Sequence, residues 1–69
     1  LVQADVKLVI FSLSGRMIAT LVNGHQEAGD HYVSWNGRDN TGRLVPSGVY
    51  YYSLSTGVFA ISRAMVFLR

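Results

Sequence analysis

The stretch His31–Leu54, HYVSWNGRDNTGRLVPSGVYYYSL, reads as strand, long polar turn, strand. From His31 to Trp35 the residues alternate: His31, Val33 and Trp35 on one face, Tyr32 and Ser34 on the other. Asn36 to Arg43 is dense in residues that bend the chain by side chain–backbone hydrogen bonds or by positive φ. Leu44-Val45-Pro46 suits at most a short edge segment, because proline has no N–H to give a ladder. After Ser47-Gly48, the run Val49–Thr56 alternates again. It places Tyr50, Tyr52 and Leu54 on one face and Val49, Tyr51 and Ser53 on the other.

Working outward, Asp5–Leu13 has period two, with Val6, Leu8 and Ile10 on one face and Lys7, Val9, Phe11 and Leu13 on the other. Ser14-Gly15 is a turn signal, and Arg16–Val22 a second short strand. Helix competes there, since Met, Ala and Leu favour it, but the segment is short and lies between two glycine turns. Asn23-Gly24 is the strongest dipeptide turn signal in the chain, and the polar His25–Asp30 prolongs that connection. Gly57 ends the tyrosine strand, and Val58–Leu68 forms the last one. Short strands separated by regular turn signals predict an all-β protein, an antiparallel sandwich or barrel of about five or six strands. The expected core is Val6, Leu8, Ile10, Val33, Trp35, Tyr50, Tyr52 and Leu54, and Gly15, Gly24, Gly37, Gly42 and Gly48 mark turns.

The 69 residues make one domain. A chain this short buries only about 60% of the surface its unfolded form exposes. It has no cysteine to staple the core, so support from a neighbouring domain, a partner chain or a foreign strand is expected. Apolar residues at 49% and charged ones at 14% are incompatible with disorder. The net charge of +2 is spread along the chain, without the basic stripe that nucleic acid requires. No apolar run reaches membrane-spanning length, so membrane insertion is not expected. Starting at Leu1 rather than Met, the chain is expected to be a fragment or a processed product.

No residues converge on chemistry. The two histidines, His25 and His31, lack further ligands at zinc spacing. Asp39-Asn40-x-Gly42 has the glycine of a calcium loop but only one carboxylate, and a capped turn explains the same residues. No base–nucleophile pattern is present. Catalysis, cofactors and metals are therefore not expected. The outward Tyr51 and Tyr32 would serve as a glycan-stacking surface, whereas Tyr50 and Tyr52 are more simply core.

Several fragments in order carry a resemblance: Ser14-Gly15-Arg16, Ala28-Gly29-Asp30-His31, Trp35-Asn36-Gly37-Arg38-Asp39, Gly42-Arg43, Ser47-Gly48-Val49-Tyr50 and the closing Arg63–Arg69. Together they resemble the Ig-like domain of the flagellar hook-capping protein, and are similar to the type IX secretion C-terminal sorting domain. The resemblance implies an Ig-like antiparallel β-sandwich without catalysis, located outside the cell or on the bacterial cell surface. It implies a sorting and surface-attachment module of a secreted protein, read by secretion machinery. The alternative is a structural subunit of an extracellular filament or scaffold, a homo-oligomer assembled by strand exchange between copies. Family members carry a further strand before the position of Asp5, so the sandwich is expected to lack its first edge strand. That strand would be trimmed, or supplied by a preceding domain or a neighbouring copy.

Overall fold

The computed structural model describes residues 3–27 and 32–69. Among these, four strands form: β1 (Gln3–Phe11), β2 (Met17–Glu27), β3 (Gly48–Ser55) and β4 (Ala60–Phe67). They make one antiparallel sheet in the order β2-β1-β3-β4. The expected all-β class is present. The described residues supply four strands in a single sheet rather than the five or six of a sandwich.

β1, β3 and β4 follow from the patterning of their side chains, and the turns from local chemistry. Between β1 and β2, Gly15 adopts φ +87° and its N–H donates to the Ser12 carbonyl at 3.0 Å. The Ser12 N–H donates to the Arg16 carbonyl at 2.9 Å. Between β3 and β4, the Thr56 hydroxyl accepts from the N–H groups of Val58 and Phe59.

Asn23-Gly24 does not turn. Both residues lie inside β2, with Gly24 opposite Val6 and Asn23 opposite Lys7. The partner strand β1 carries its apolar alternation back to Val6, and pairing with it extends β2 through the local turn signal. Gly48 likewise opens β3 rather than forming a turn. The alternating Tyr32–Trp35 has no regular structure, and His31 lies outside the described residues.

β2 is bulged twice against β1. The register shifts between Leu8 and Val9, and again between Ile10 and Phe11. Each bulge sets two residues against one on the partner strand. The consequence is visible in the packing: Ile18 and Ala19 both join the core cluster, and Leu21 and Val22 both line the same groove.

The core sits at one end of one sheet face. Ile10, Ala19, Val45 and Tyr50 are buried, with Ile18, Leu21, Trp35, Tyr52, Met65 and Phe67 packed against them. Val9, opposite Thr20 and Ser53 and on the other face by alternation, is also buried. Of the expected core, Ile10 and Tyr50 are buried and Val6, Leu8, Trp35, Tyr52 and Leu54 half-buried. Val33 is 48% exposed, because no strand forms around it to press it onto the sheet. The chain has a radius of gyration of 12.6 Å, where a compact chain of this length has about 11 Å. A single sheet with one partly covered face accounts for the excess.

Candidate protein-interaction face

The connector from Tyr32 to Ser47 covers only part of the apolar face. Its anchor is Trp35, whose ring meets Tyr50 edge-on at 5.3 Å between centroids and Phe67 at a 45° tilt at 4.9 Å. Such aromatic pairs add about 0.5–1.5 kcal/mol beyond burial. The Trp35 Nε1–H donates to the Arg38 carbonyl at 2.9 Å, so the indole is held at both ends. The Tyr50 hydroxyl donates to the Pro46 carbonyl at 2.6 Å and ties the far side of the connector to β3. Val45 is buried between these two anchors, and its N–H donates to the Gly37 carbonyl at 2.8 Å.

The polar turn holds itself. Asp39 Oδ1 accepts from the Thr41 N–H, the Thr41 hydroxyl and the Arg43 N–H. The Asn36 side-chain oxygen accepts from the Arg38 N–H, and Arg38 Nη1 donates to the Gly42 carbonyl. The Thr41 hydroxyl bond holds the Asp39 carboxyl below the ordinary carboxylate value. Partial desolvation opposes this, while the main-chain donors and the Arg43 charge reinforce it. A carboxylate saturated by its own turn is what the sequence pattern of a capped turn demands. Among the described residues, no group of three His, Cys, Asp or Glu side chains could hold a metal, and no helix is long and apolar enough to cross a membrane.

Asn40 does a second job at the edge of the sheet. Its N–H donates to the Ile18 carbonyl and its Oδ1 accepts from the Thr20 N–H, both at 3.0 Å. One residue thus presents a donor and an acceptor to the outer edge of β2 as a neighbouring strand would.

Beyond Trp35 the same sheet face is an open groove of about 700 Å³. Its floor is Val6, Leu8 and Ile10 of β1, with Tyr52 and Leu54 of β3 beside them. Leu21, Val22 and Gln26 of β2 form one wall, and Val33, Trp35, Phe59 and Met65 contribute from the connector, the β3–β4 turn and β4. Among the described residues, Gln26 and Thr56 are its only polar lining outside the aromatic rings. Small-molecule sites of this size pair an apolar lining with convergent polar groups that fix orientation. Two peripheral amide and hydroxyl groups do not make such a set. The outward pair considered for glycan stacking is split: Tyr32 is 92% exposed on the connector, whereas Tyr51 is 41% exposed on the opposite face of the sheet.

All eight residues expected in the core are thus gathered here, seven of them lining the groove and Tyr50 in the adjoining cluster. Sequence reasoning did not place Leu21 and Val22 together, since a bulge breaks the period that would reveal them. Met65 and Phe67 could have been found, because they follow period two in the last strand. Nothing in the sequence signals that Asn40 caps β2.

The FlgD Ig-like domain family matches residues 3–57, which take in β1, β2, the connector and β3 and stop short of β4. No curated protein and no solved structure matches the chain.

Proposed function

Because the chain belongs to the FlgD Ig-like domain family, we propose that it is a structural module whose sandwich is completed by contact with other protein. The family is a non-enzymatic structural one. The observation that carries the reading is the open apolar groove over a single sheet. A sheet with one apolar face is stable only when that face is buried against another layer. The connector provides that layer over Tyr50 and Ile10 but leaves Val6, Leu8 and Leu54 half-covered. Completion by a strand from a neighbouring polypeptide gives the five- or six-stranded Ig-like sandwich, and is an ordinary route to extracellular filaments and scaffolds. Sedimentation velocity and an apolar dye test the reading. The isolated chain is expected to bind the dye and to associate as its concentration rises. A stable monomer at high concentration that binds no dye overturns the proposal.

A second reading is a sorting and surface-attachment module of a secreted protein. It is favoured by the closing stretch Arg63–Arg69, where the Arg69 N–H donates to the Ser47 hydroxyl at 2.9 Å. Arg63–Phe67 also pair with Gly48–Tyr52, which holds the closing stretch along β3. An exported reporter fused to the chain is expected to reach the surface of a type IX-competent host, and retention in the periplasm sinks this reading.

A further inference from the structure

A second concavity lies away from the groove, at the outer edge of β2. It holds about 350 Å³. Arg16, Met17 and Ile18 line it from the start of β2, and Asp39, Asn40 and Arg43 from the polar turn. The two sets are remote in sequence. Asn40 brings them together through its bonds to the Ile18 carbonyl and the Thr20 N–H.

Both arginines are pinned at the main chain. The Ser12 N–H donates to the Arg16 carbonyl, and the Arg16 N–H donates to the Ser12 hydroxyl. The Arg43 N–H donates to Asp39 Oδ1, and the Asp39 N–H to the Arg43 carbonyl. Their guanidinium groups do nothing comparable for the fold. Arg38 spends its guanidinium on the Gly42 carbonyl, but those of Arg16 and Arg43 make no hydrogen bond or ion pair with any described residue. Two forked donors on fixed bases thus border one cleft, and little ordering of the main chain remains to oppose binding. Asn40 adds a third donor. Its Oδ1 is taken by the Thr20 N–H, so its amide N–H groups are left over, with no acceptor among the described residues.

Charge and acceptors narrow the ligand. Arg16 and Arg43 bring two positive charges and Asp39 one negative, a surplus of one positive charge. That surplus matches a carboxylate, which an arginine fork grips through two parallel bonds. A phosphate dianion exceeds it and meets the Asp39 charge. Asp39 uses Oδ1 for its own turn, and its Oδ2 accepts from no described residue. A hydroxyl beside the ligand's carboxylate would supply that oxygen with a donor, whereas a second carboxylate would be repelled. Met17 and Ile18 give the cleft an apolar side on which the C–H face of a ring can rest. We propose that this cleft binds a carboxylated sugar, a uronic acid unit of an acidic glycan. Arg16 and Arg43 hold the carboxylate and Asp39 a ring hydroxyl.

The test titrates the chain with oligogalacturonate at about 0.15 M salt, where loose surface attraction is largely screened. Backbone amide NMR shifts report the position and calorimetry the affinity. Saturable binding is expected, with shifts confined to Arg16–Ile18 and Asn40–Arg43. Arg16→Gln and Arg43→Gln should each weaken it at least about tenfold, the effect of losing one charge-assisted fork. Neither guanidinium supports the fold, so their urea midpoints should match the wild type. Arg63→Gln, a charge loss on the groove face opposite Tyr52, should leave the affinity as it is. Arg16→Lys keeps the charge without the fork and should also bind more weakly. Full affinity in Arg16→Lys would reduce the site to a diffuse positive patch and overturn the proposal. Equal binding of polyglutamate makes an acidic peptide the ligand and overturns the sugar, as does equal binding of inorganic phosphate for the carboxylate. Neutral oligogalactose that binds as well, or oligogalacturonate that shifts no amide of the cleft, removes the site altogether.

Discussion

A methyl group at position 37 would overlap the Phe67 ring, and the backbone there has φ +77°. Gly37 is therefore required twice, once by conformation and once by the close approach that lets Phe67 reach Trp35. Gly42 has φ +90° with open space around it, so only the conformational demand applies. We expect Gly42→Ala to cost about 1 kcal/mol and Gly37→Ala about 2–4 kcal/mol, the difference being overpacking. Total stability for this length is roughly 3–10 kcal/mol, so the second change threatens the fold. Urea midpoints of the two variants decide the ordering, and equal losses would refute it. Asp39 supplies a pH dependence. Its carboxyl is held below the ordinary carboxylate value, chiefly by the Thr41 hydroxyl. A depressed folded value means that its stabilisation is complete above the unfolded value and disappears as pH falls through the folded one. Asp39→Asn removes this titration. The stability gap between wild type and Asp39→Asn should therefore shrink as pH is lowered from about 5 to about 2, as followed by thermal unfolding.

At the scale of the element, β2 explains what the sequence could and could not convey. Its side chains are a poor guide: the apolar pairs Ile18-Ala19 and Leu21-Val22 break the alternation, and Asn23-Gly24 signals a stop. The strand exists because β1, apolar from Val6 to Phe11 except at Lys7, offers it a partner along its whole length from Gln3 to Phe11. β1, β3 and β4 were legible since their period survives on both sides of the sheet. Tyr32–Trp35 carries an equally clear alternation and forms no strand, since period alone supplies no partner for its N–H and C=O groups. The groove was legible as a set of apolar residues, Val6, Leu8, Tyr52 and Leu54, but not as an open face, because exposure depends on what fails to cover them. The role of Asn40 was beyond sequence reasoning, since its partners are 20 and 22 positions away. Replacing Asn40 with Ala removes the acceptor for the Thr20 N–H. A loss of about 0.5–1.5 kcal/mol follows from one hydrogen bond in a solvated setting. Thr20 amide exchange should accelerate while the amides of β3 keep their rates, and an unchanged Thr20 amide would contradict the edge-capping role.

For the molecule as a whole, stability is concentrated at the end of the sheet that the connector covers. Ile10 is 2% exposed, between its register partners Ala19 and Tyr52 on the flanking strands and in the same core as the Trp35–Tyr50–Phe67 ring cluster. Leu54 lies in the same face, two residues along β3 from Tyr52, but in the open groove. The His25–Asp5 pair at 3.5 Å, with side chains 56% and 90% exposed, lies at the groove end of the sheet. An exposed pair of this kind is worth about 0–1 kcal/mol and cannot replace a missing layer. Truncating a buried isoleucine loses transfer energy and leaves a cavity, about 2–5 kcal/mol. A leucine whose outer surface is already wet loses less, about 1 kcal/mol. The isolated chain should therefore lose most of its stability on Ile10→Ala and little on Leu54→Ala. Once the groove is occupied, Leu54 becomes as buried as Ile10, and the two losses should converge. Denaturant unfolding of both variants, alone and with a saturating strand peptide, measures that convergence directly. If Leu54→Ala is already as damaging as Ile10→Ala in the isolated chain, the groove is closed in solution and the sheet needs no further layer.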